Sequence, residues 1–347
     1  MKILVTGASG TLGRATTRRL LARGDEVTVL QRRSAGLPGT EVLGDVADAA
    51  VVARAAAGQD AVLHLAAKVD VTGTWHEYAR ANITGTRNVV DACTAGGVER
   101  LVHVSSPSVA HAGAPLFGAG ADPADPARAR GHYSRSKAVA EQNALAADSA
   151  ELAVLVVRPH LVWGPGDEQL VTRIVARARN GRLPLIGSGA ALIDTTYVDN
   201  AAAALVAAVD ACGPVHGEAL VVSNGEPRTV GEMMRRLCLA AGAPGPRGRV
   251  PTYAAWLVGA VVEGVWAATG RRSTPPLTRF LTEQLTAAHW FDQRRTREAL
   301  GWRPEVSLDE GFDRLAAWYD GIPAEMDDGG GHLRRDDQGH ADSRVRT

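Results

Sequence analysis

Residues 2–13, Lys2-Ile3-Leu4-Val5-Thr6-Gly7-Ala8-Ser9-Gly10-Thr11-Leu12-Gly13, decide the fold. Residues 2–6 are a short β-branched, apolar run stopped by glycine, which reads as a strand. From Thr11 to about residue 24, apolar side chains recur at helical spacing. Three glycines spaced G-x-x-G-x-x-G join the two. At a strand-to-helix turn Gly7 permits a tight bend, Gly10 lets backbone N–H groups approach a pyrophosphate, and Gly13 allows the helix to lie close to the sheet. A glycine-rich turn alone says little. Between a first strand and a first helix it predicts a dinucleotide site built on Gly7, Ser9, Gly10, Thr11, Leu12 and Gly13.

The same rhythm continues outward. Residues 26–31, 61–65, 100–104 and 153–158 are further apolar runs, separated by Ala-, Leu- and Arg-rich stretches at about 11–24, 48–57, 76–96 and 134–148. Alternating strand and helix predicts an α/β, doubly wound parallel sheet of the Rossmann type, with ligands beyond the carboxyl ends of its strands. Residues 1–165 are expected to form mainly the dinucleotide-binding domain. Residues 166–320 form mainly a smaller substrate-binding region interleaved with the last strands, and the polar 321–347 tail is expected to be disordered. The apolar stretch 253–268 is shorter than the ~20 residues of a membrane span, and reads as a buried or interfacial helix over an apolar pocket.

Composition narrows the functional classes. Formal net charge is zero and charged residues make up 22% of the 347, which argues against a nucleic-acid binder acting through bulk charge. Cys93, Cys212 and Cys238 form no C-x-x-C, so neither a disulfide framework nor a metal site is expected, and such usage suits a reducing cytoplasm. The amino-terminal residues run into a strand pattern without an apolar leader, so secretion is not expected. Of 38 basic residues only Lys2, Lys68 and Lys137 are lysine, so a lysine inside a candidate site is informative.

The second strand ends in Gln31-Arg32-Arg33, where many dinucleotide-binding proteins carry an acid. A carboxylate there accepts from a ribose 2′-OH, whereas arginine offers a fork of donors matched to a 2′-phosphate, so Arg32 and Arg33 favour NADP(H) over NAD(H). A solvated basic turn is the other reading in so arginine-rich a chain. Asp45 either meets the adenine edge or caps the following helix.

Tyr133-Ser134-Arg135-Ser136-Lys137 gives Y-x-x-x-K at a helix start, with the two side chains one turn apart on one face. A phenol is a poor acid at neutral pH unless a neighbouring ammonium stabilises its anion. Ser105 and Ser106 follow the 100–104 strand, where a hydroxyl can donate to a carbonyl oxygen and accept from the tyrosine.

TGASGTLG at 6–13, HLAA at 64–67, NITGT at 82–86, VSS at 104–106, YSRSK at 133–137 and RPHLVWGPGD at 158–167 together resemble the extended short-chain dehydrogenase/reductase superfamily. TYVDNAA at 196–202 and ALGWRPEVSLDEG at 299–311 extend the resemblance over roughly residues 1–320. Within it the chain resembles the 3β-hydroxysteroid dehydrogenase-related branch, and more closely the bacterial 2-alkyl-3-oxoalkanoate reductases of long-chain olefin biosynthesis. The resemblance implies that Tyr133 is the general acid/base and that Lys137 binds the nicotinamide ribose and lowers the Tyr133 pKa. Ser106 orients the substrate carbonyl, with Ser105 as second candidate, and Asn82 is a buried structural polar group. Val46, Leu65, Ala66 and Ala67 line the cofactor, and Pro159 and Leu161 lie near the nicotinamide. Members that act on nucleotide sugars usually carry arginine where this chain has Ile193, which argues against a sugar-nucleotide substrate.

The expected activity is NADPH-dependent reduction of a 2-alkyl-3-oxo acid to the 3-hydroxy acid, with His160 and Arg279 as guesses for the carboxylate partner. A steroid or sterol dehydrogenase, oxidative and possibly decarboxylating, is the alternative enzyme. A dinucleotide-sensing protein without catalysis is the alternative of another class. The chain is expected to be a cytoplasmic homodimer that associates with enzymes of its pathway.

Overall fold

A computed structural model describes residues 1–69, 73–110, 113–269 and 277–321; the expected disordered tail, from residue 322 on, lies outside them. Lys2–Thr6 (β1), Glu26–Gln31 (β2), Thr40–Leu43 (β3), Ala61–His64 (β4) and Arg100–Val104 (β5) join Ala153–Pro159 and Glu218–Val222 in one seven-stranded sheet. The order is Glu218–Val222, Ala153–Pro159, β5, β4, β1, β2, β3, and every neighbouring pair is parallel. The winding reverses between β1 and β4, and this is where a doubly wound sheet leaves a crevice for a ligand.

Both faces of the sheet are covered, which is why its strands read as near-continuous apolar runs. Alternate side chains go to opposite layers: Ile3 and Val5 join Val27, Val29 and Leu205 in one core, while Leu4 joins Leu30, Val52 and Val62 in the other. The helix Thr11–Arg23 packs against Val198–Ala211 on the first face; Ala49–Ala56, Gly85–Gly96 and Gly131–Leu145 cover the second.

A third core surrounds Trp163, Tyr197 and Phe312 in the second half of the chain. There Leu116–Ala119, from the loop ahead of the helix Gly131–Leu145, pairs with His289–Phe291. The helices Thr252–Thr269 and Arg279–Thr286 pack together. Gly259 makes that approach possible, since a Cβ there would lie 2.8 Å from the Arg279 nitrogen. Tyr253, Leu257, Val258 and Val261 of the first helix remain exposed. Among the described residues no helix is long and apolar enough to cross a membrane.

The structure adds elements that the sequence pattern did not announce. β3 has only two apolar residues and lies at the sheet edge, half-exposed. Residues 79–84 form a π-helical segment inside the expected 76–96 helix. The helix carrying Y-x-x-x-K begins at Gly131, three residues earlier than its pattern suggested.

Candidate active site

The glycine loop divides its labour. Gly7 has φ +77°, and a Cβ there would fall 2.8 Å from the backbone of Ala66, so the loop presses against the segment leaving β4. That segment is pinned by Leu65 N–H to the Thr6 carbonyl (3.2 Å) and Ala66 N–H to Thr6 Oγ1 (3.1 Å). At Gly13 a Cβ would lie 2.2 Å from the Gly7 carbonyl oxygen, so helix and loop could not pack. Gly10 differs: its Cβ would meet nothing closer than 3.8 Å, which leaves open space beside the helix start. The helix Thr11–Arg23 has no side-chain cap and no acid in its first turn. Its free N–H groups and positive end therefore fit a pyrophosphate, with Ser9 exposed at the mouth. Thr11 Oγ1 donates to the Gly166 carbonyl (3.0 Å), and Leu12 packs on the core.

Beyond β2, Arg32 and Arg33 are exposed and form no ion pair with a described residue. A carboxylate does stand close by, and it comes from β3. Glu41 accepts from Gln31 Nε2 (2.5 Å) and from the Ala35 N–H (3.2 Å). The Ser34 hydroxyl and these donors hold its pKa below the usual carboxylate value. Arg14, next to Gly13, donates to the Ala35 carbonyl (2.9 Å) and fixes the same turn. Asp45 pairs with Arg80 (3.0 Å) and accepts from the Ala47 N–H (3.0 Å). The helix cap left open in the sequence belongs to Asp48, which accepts from Ala50 and Val51. The Val46 carbonyl accepts from Asn88 (2.9 Å).

Tyr133 is the third residue of Gly131–Leu145, and Lys137 follows one turn later. This helix is clamped to the sheet by Glu141 and Arg158, 0% and 1% exposed. Arg158 Nε donates at 2.9 Å, its Nη2 donates to the second carboxylate oxygen, and its Nη1 donates to the Asp122 carbonyl (2.8 Å). Ser106 caps the short turn Pro107–Val109, which packs on the Tyr133 helix; its Oγ lies 3.0 Å from Ser108 Oγ and accepts from the Ser108 N–H (3.3 Å), while the buried Ser105 hydroxyl has no partner among the described residues.

Lys137 Nζ donates to the Val104 carbonyl (2.6 Å) and lies 3.4 Å from His103 Nε2. Burial lowers its pKa to about 8, with Glu141 acting in the other direction. Burial raises the Tyr133 pKa, and Ser106 acts in the other direction.

Asn82, in the π-helical segment, accepts from the Lys68 N–H (2.7 Å) and donates to the Lys68 carbonyl (3.1 Å) and to Ser136 Oγ (2.9 Å). Ser136 in turn donates to the Tyr133 carbonyl (2.8 Å), so one buried amide joins the segment after β4 to the turn beneath Tyr133. Pro159 ends its strand, and Leu161 has φ +42°, the one positive φ outside glycine among the described residues. Such strain in a leucine collects at ligand sites.

The two candidates for a carboxylate partner both have protein neighbours here. His160 is buried with its ring 5.0 Å from both His289 and Phe291, and Arg279 donates to Glu263 from its backbone (2.9 Å) and its Nε (2.7 Å). Arg130, just ahead of the Tyr133 helix, pairs with Glu283.

The NAD dependent epimerase/dehydratase family model matches residues 3–223. The chain belongs to this family. It is an NAD(P)-dependent oxidoreductase of the extended short-chain type, related to 3β-hydroxysteroid dehydrogenases. The 2-alkyl-3-oxoalkanoate reductase of Stenotrophomonas maltophilia is 44% identical over 328 residues, covering 91% of this chain and 99% of that one. The reductase of the same name from Shewanella oneidensis is 38% identical, covering 90% and 85%. Among solved structures, the DesIV dTDP-glucose 4,6-dehydratase of Streptomyces venezuelae, with NAD bound, superposes with a TM-score of 0.71. It is 25% identical and covers 92% of this chain and 97% of that one.

Sequence reading missed Arg14, Glu41, Arg130 and the Glu141–Arg158 pair. Only Arg158 left a signal, as a charge at the end of an otherwise apolar strand.

Proposed function

We propose that this enzyme uses NADPH to reduce a 2-alkyl-3-oxo acid to its 3-hydroxy acid. The observation that carries the reading is the packing of the Ser106 turn on the helix that bears Tyr133 and Lys137. The apolar helix Thr252–Thr269 packs on Arg279–Thr286, whose Glu283 is tied to Arg130 at the cap of the Tyr133 helix. Two relatives bearing the 2-alkyl-3-oxoalkanoate reductase name at 44% and 38% identity support it. Ile193, buried between Arg228 and His289 as strand neighbours, leaves an apolar residue where sugar-nucleotide enzymes place arginine.

The nicotinamide, when bound, supplies the hydride. Ser106 donates a hydrogen bond to the ketone oxygen, and Tyr133 donates its proton to that oxygen as negative charge develops. Lys137, now on the Val104 carbonyl, would hold the nicotinamide ribose and bring a positive charge toward Tyr133. The preference for NADPH rests on Arg32 and Arg33, which form no ion pair with a described residue, and on Glu41, whose Oε1 already accepts from Gln31 and Ala35. The three buried, free cysteines suit a cytoplasmic enzyme. Homodimer formation and association with pathway enzymes remain part of the proposal.

The test is loss of NADPH absorbance with a freshly generated 2-alkyl-3-oxo acid, compared with NADH. Wild type should prefer NADPH, and Arg32→Ala with Arg33→Ala should lose most of that preference while its NADH rate holds. An unchanged preference removes the 2′-phosphate assignment, and no turnover with either cofactor removes the substrate.

A further inference from the structure

We infer that Arg130 receives the substrate carboxylate and that Glu283 occupies Arg130 until the substrate replaces it. The inference rests on the keto-acid reading above.

A 3-oxo acid carries its carboxylate carbon two bonds from the ketone carbon, so the cation that reads it must stand beside Tyr133. Arg130 is the residue at the helix cap and Tyr133 the third in the helix, so Arg130 enters the site's helix three residues ahead of the general acid. Other basic groups near this first turn are directed elsewhere. Arg135 lies over the Trp75 ring (4.9 Å), His132 is flanked by Trp75 and Tyr78, and Lys68 lies over Tyr78 (5.3 Å) and 3.9 Å from Glu77.

The present partner of Arg130 is itself a carboxylate, carried on the second helix of the apolar pair. Gly113 keeps room for the two. It has φ +91°, and a Cβ there would fall 2.9 Å from Arg130 Cζ and Nη1 and 3.0 Å from Glu283 Oε2. The helix start offers no capping side chain and no acid in its first turn. An incoming carboxylate therefore meets the guanidinium fork together with unpaired N–H groups. Arg130 is 47% exposed and Glu283 23%, which makes this pair exchangeable where the buried Glu141–Arg158 pair is fixed. Exchange frees Glu283 on the helix that packs against the apolar Thr252–Thr269, which links recognition of the acid to the element offered to the alkyl chain.

The test uses stable substrates in the oxidative direction: a 2-alkyl-3-hydroxy acid and its methyl ester, each with NADP⁺. Arg130→Gln should raise KM for the acid about tenfold to a hundredfold with kcat near wild type and leave the ester unchanged, because a contact kept through the reaction affects binding alone. Arg130→Lys, which keeps the charge and loses the fork, should fall between. Glu283→Gln should lower KM for the acid. Equal losses on acid and ester in Arg130→Gln overturn the inference, as does an unchanged acid KM in Glu283→Gln. If circular dichroism shows Arg130→Gln unfolded, Arg130→Lys and Glu283→Gln decide. A wild-type enzyme that oxidises neither substrate overturns the keto-acid reading and this inference with it; one that oxidises both, with the acid KM unchanged in Arg130→Gln, overturns the inference alone.

Discussion

At the residue scale the site is poised by burial. Lys137 is held by a backbone carbonyl and a neutral histidine, and burial brings it from 10.5 to about 8. Its charge is thus lost in a range where an exposed lysine keeps it. Reduction should slow above about pH 8 in kcat/KM, which reports the free enzyme; a profile flat to about pH 10 contradicts this assignment. Tyr133→Phe should cut turnover by at least about a thousandfold and leave NADPH binding within twofold, as roughly expected for losing the general acid alone. These two residues were legible because Y-x-x-x-K places both on one helix face. Glu41 was not, since its partners Gln31 and Ala35 meet it only once β3 pairs with β2. Nor was the Arg130–Glu283 pair, whose members are 153 residues apart and brought together only by the packing of the second half.

At the element scale the three loop glycines should fail in different ways. Gly13→Ala places a methyl on the Gly7 carbonyl and should destabilise the fold, read as a lower Tm, as well as weaken NADPH binding. Gly10→Ala meets no protein atom closer than 3.8 Å and should fold with an unchanged Tm, yet bind NADPH at least about tenfold more weakly, because its methyl fills the space beside the N–H groups. If both variants shift Tm equally, the division of labour in the loop is wrong. The catalytic helix depends on a different kind of contact. Glu141→Gln leaves Arg158 buried without its counter-charge and should cost about 3–5 kcal/mol in chemical denaturation. The loop glycines were readable from spacing, while this clamp joins the helix to the next strand through two charged side chains whose shared burial no spacing announces.

At the scale of the whole molecule, buried histidines set the acid limit. Burial, then the Lys137 charge, lowers His64 to about 3; His103 and His289 are lowered by burial as well. Below an unfolded value near 6.5 the unfolded chain takes up protons that the folded chain refuses. Stability is therefore present above about pH 6.5 and lost as pH falls toward 3, by up to about 1.4 kcal/mol per pH unit for each histidine. Asp194, raised by burial, works in the other direction. The urea midpoint should drop between about pH 7 and about pH 5; an unchanged midpoint would contradict this. The doubly wound sheet was legible because five of its strands are apolar runs. β3 and Glu218–Val222 were not: the first is short and half-exposed, and the second follows a stretch in which the strand–helix rhythm loosens.

That last strand also governs synthesis. Ala153–Pro159 leaves the ribosome well before its outer neighbour Glu218–Val222 exists, so for an interval the nascent sheet ends in a row of unpaired N–H and C=O groups. A chain stalled or cleaved between residues 160 and 217 carries that edge permanently and can pair it with another copy. Release past residue 222 is the event that covers this particular edge.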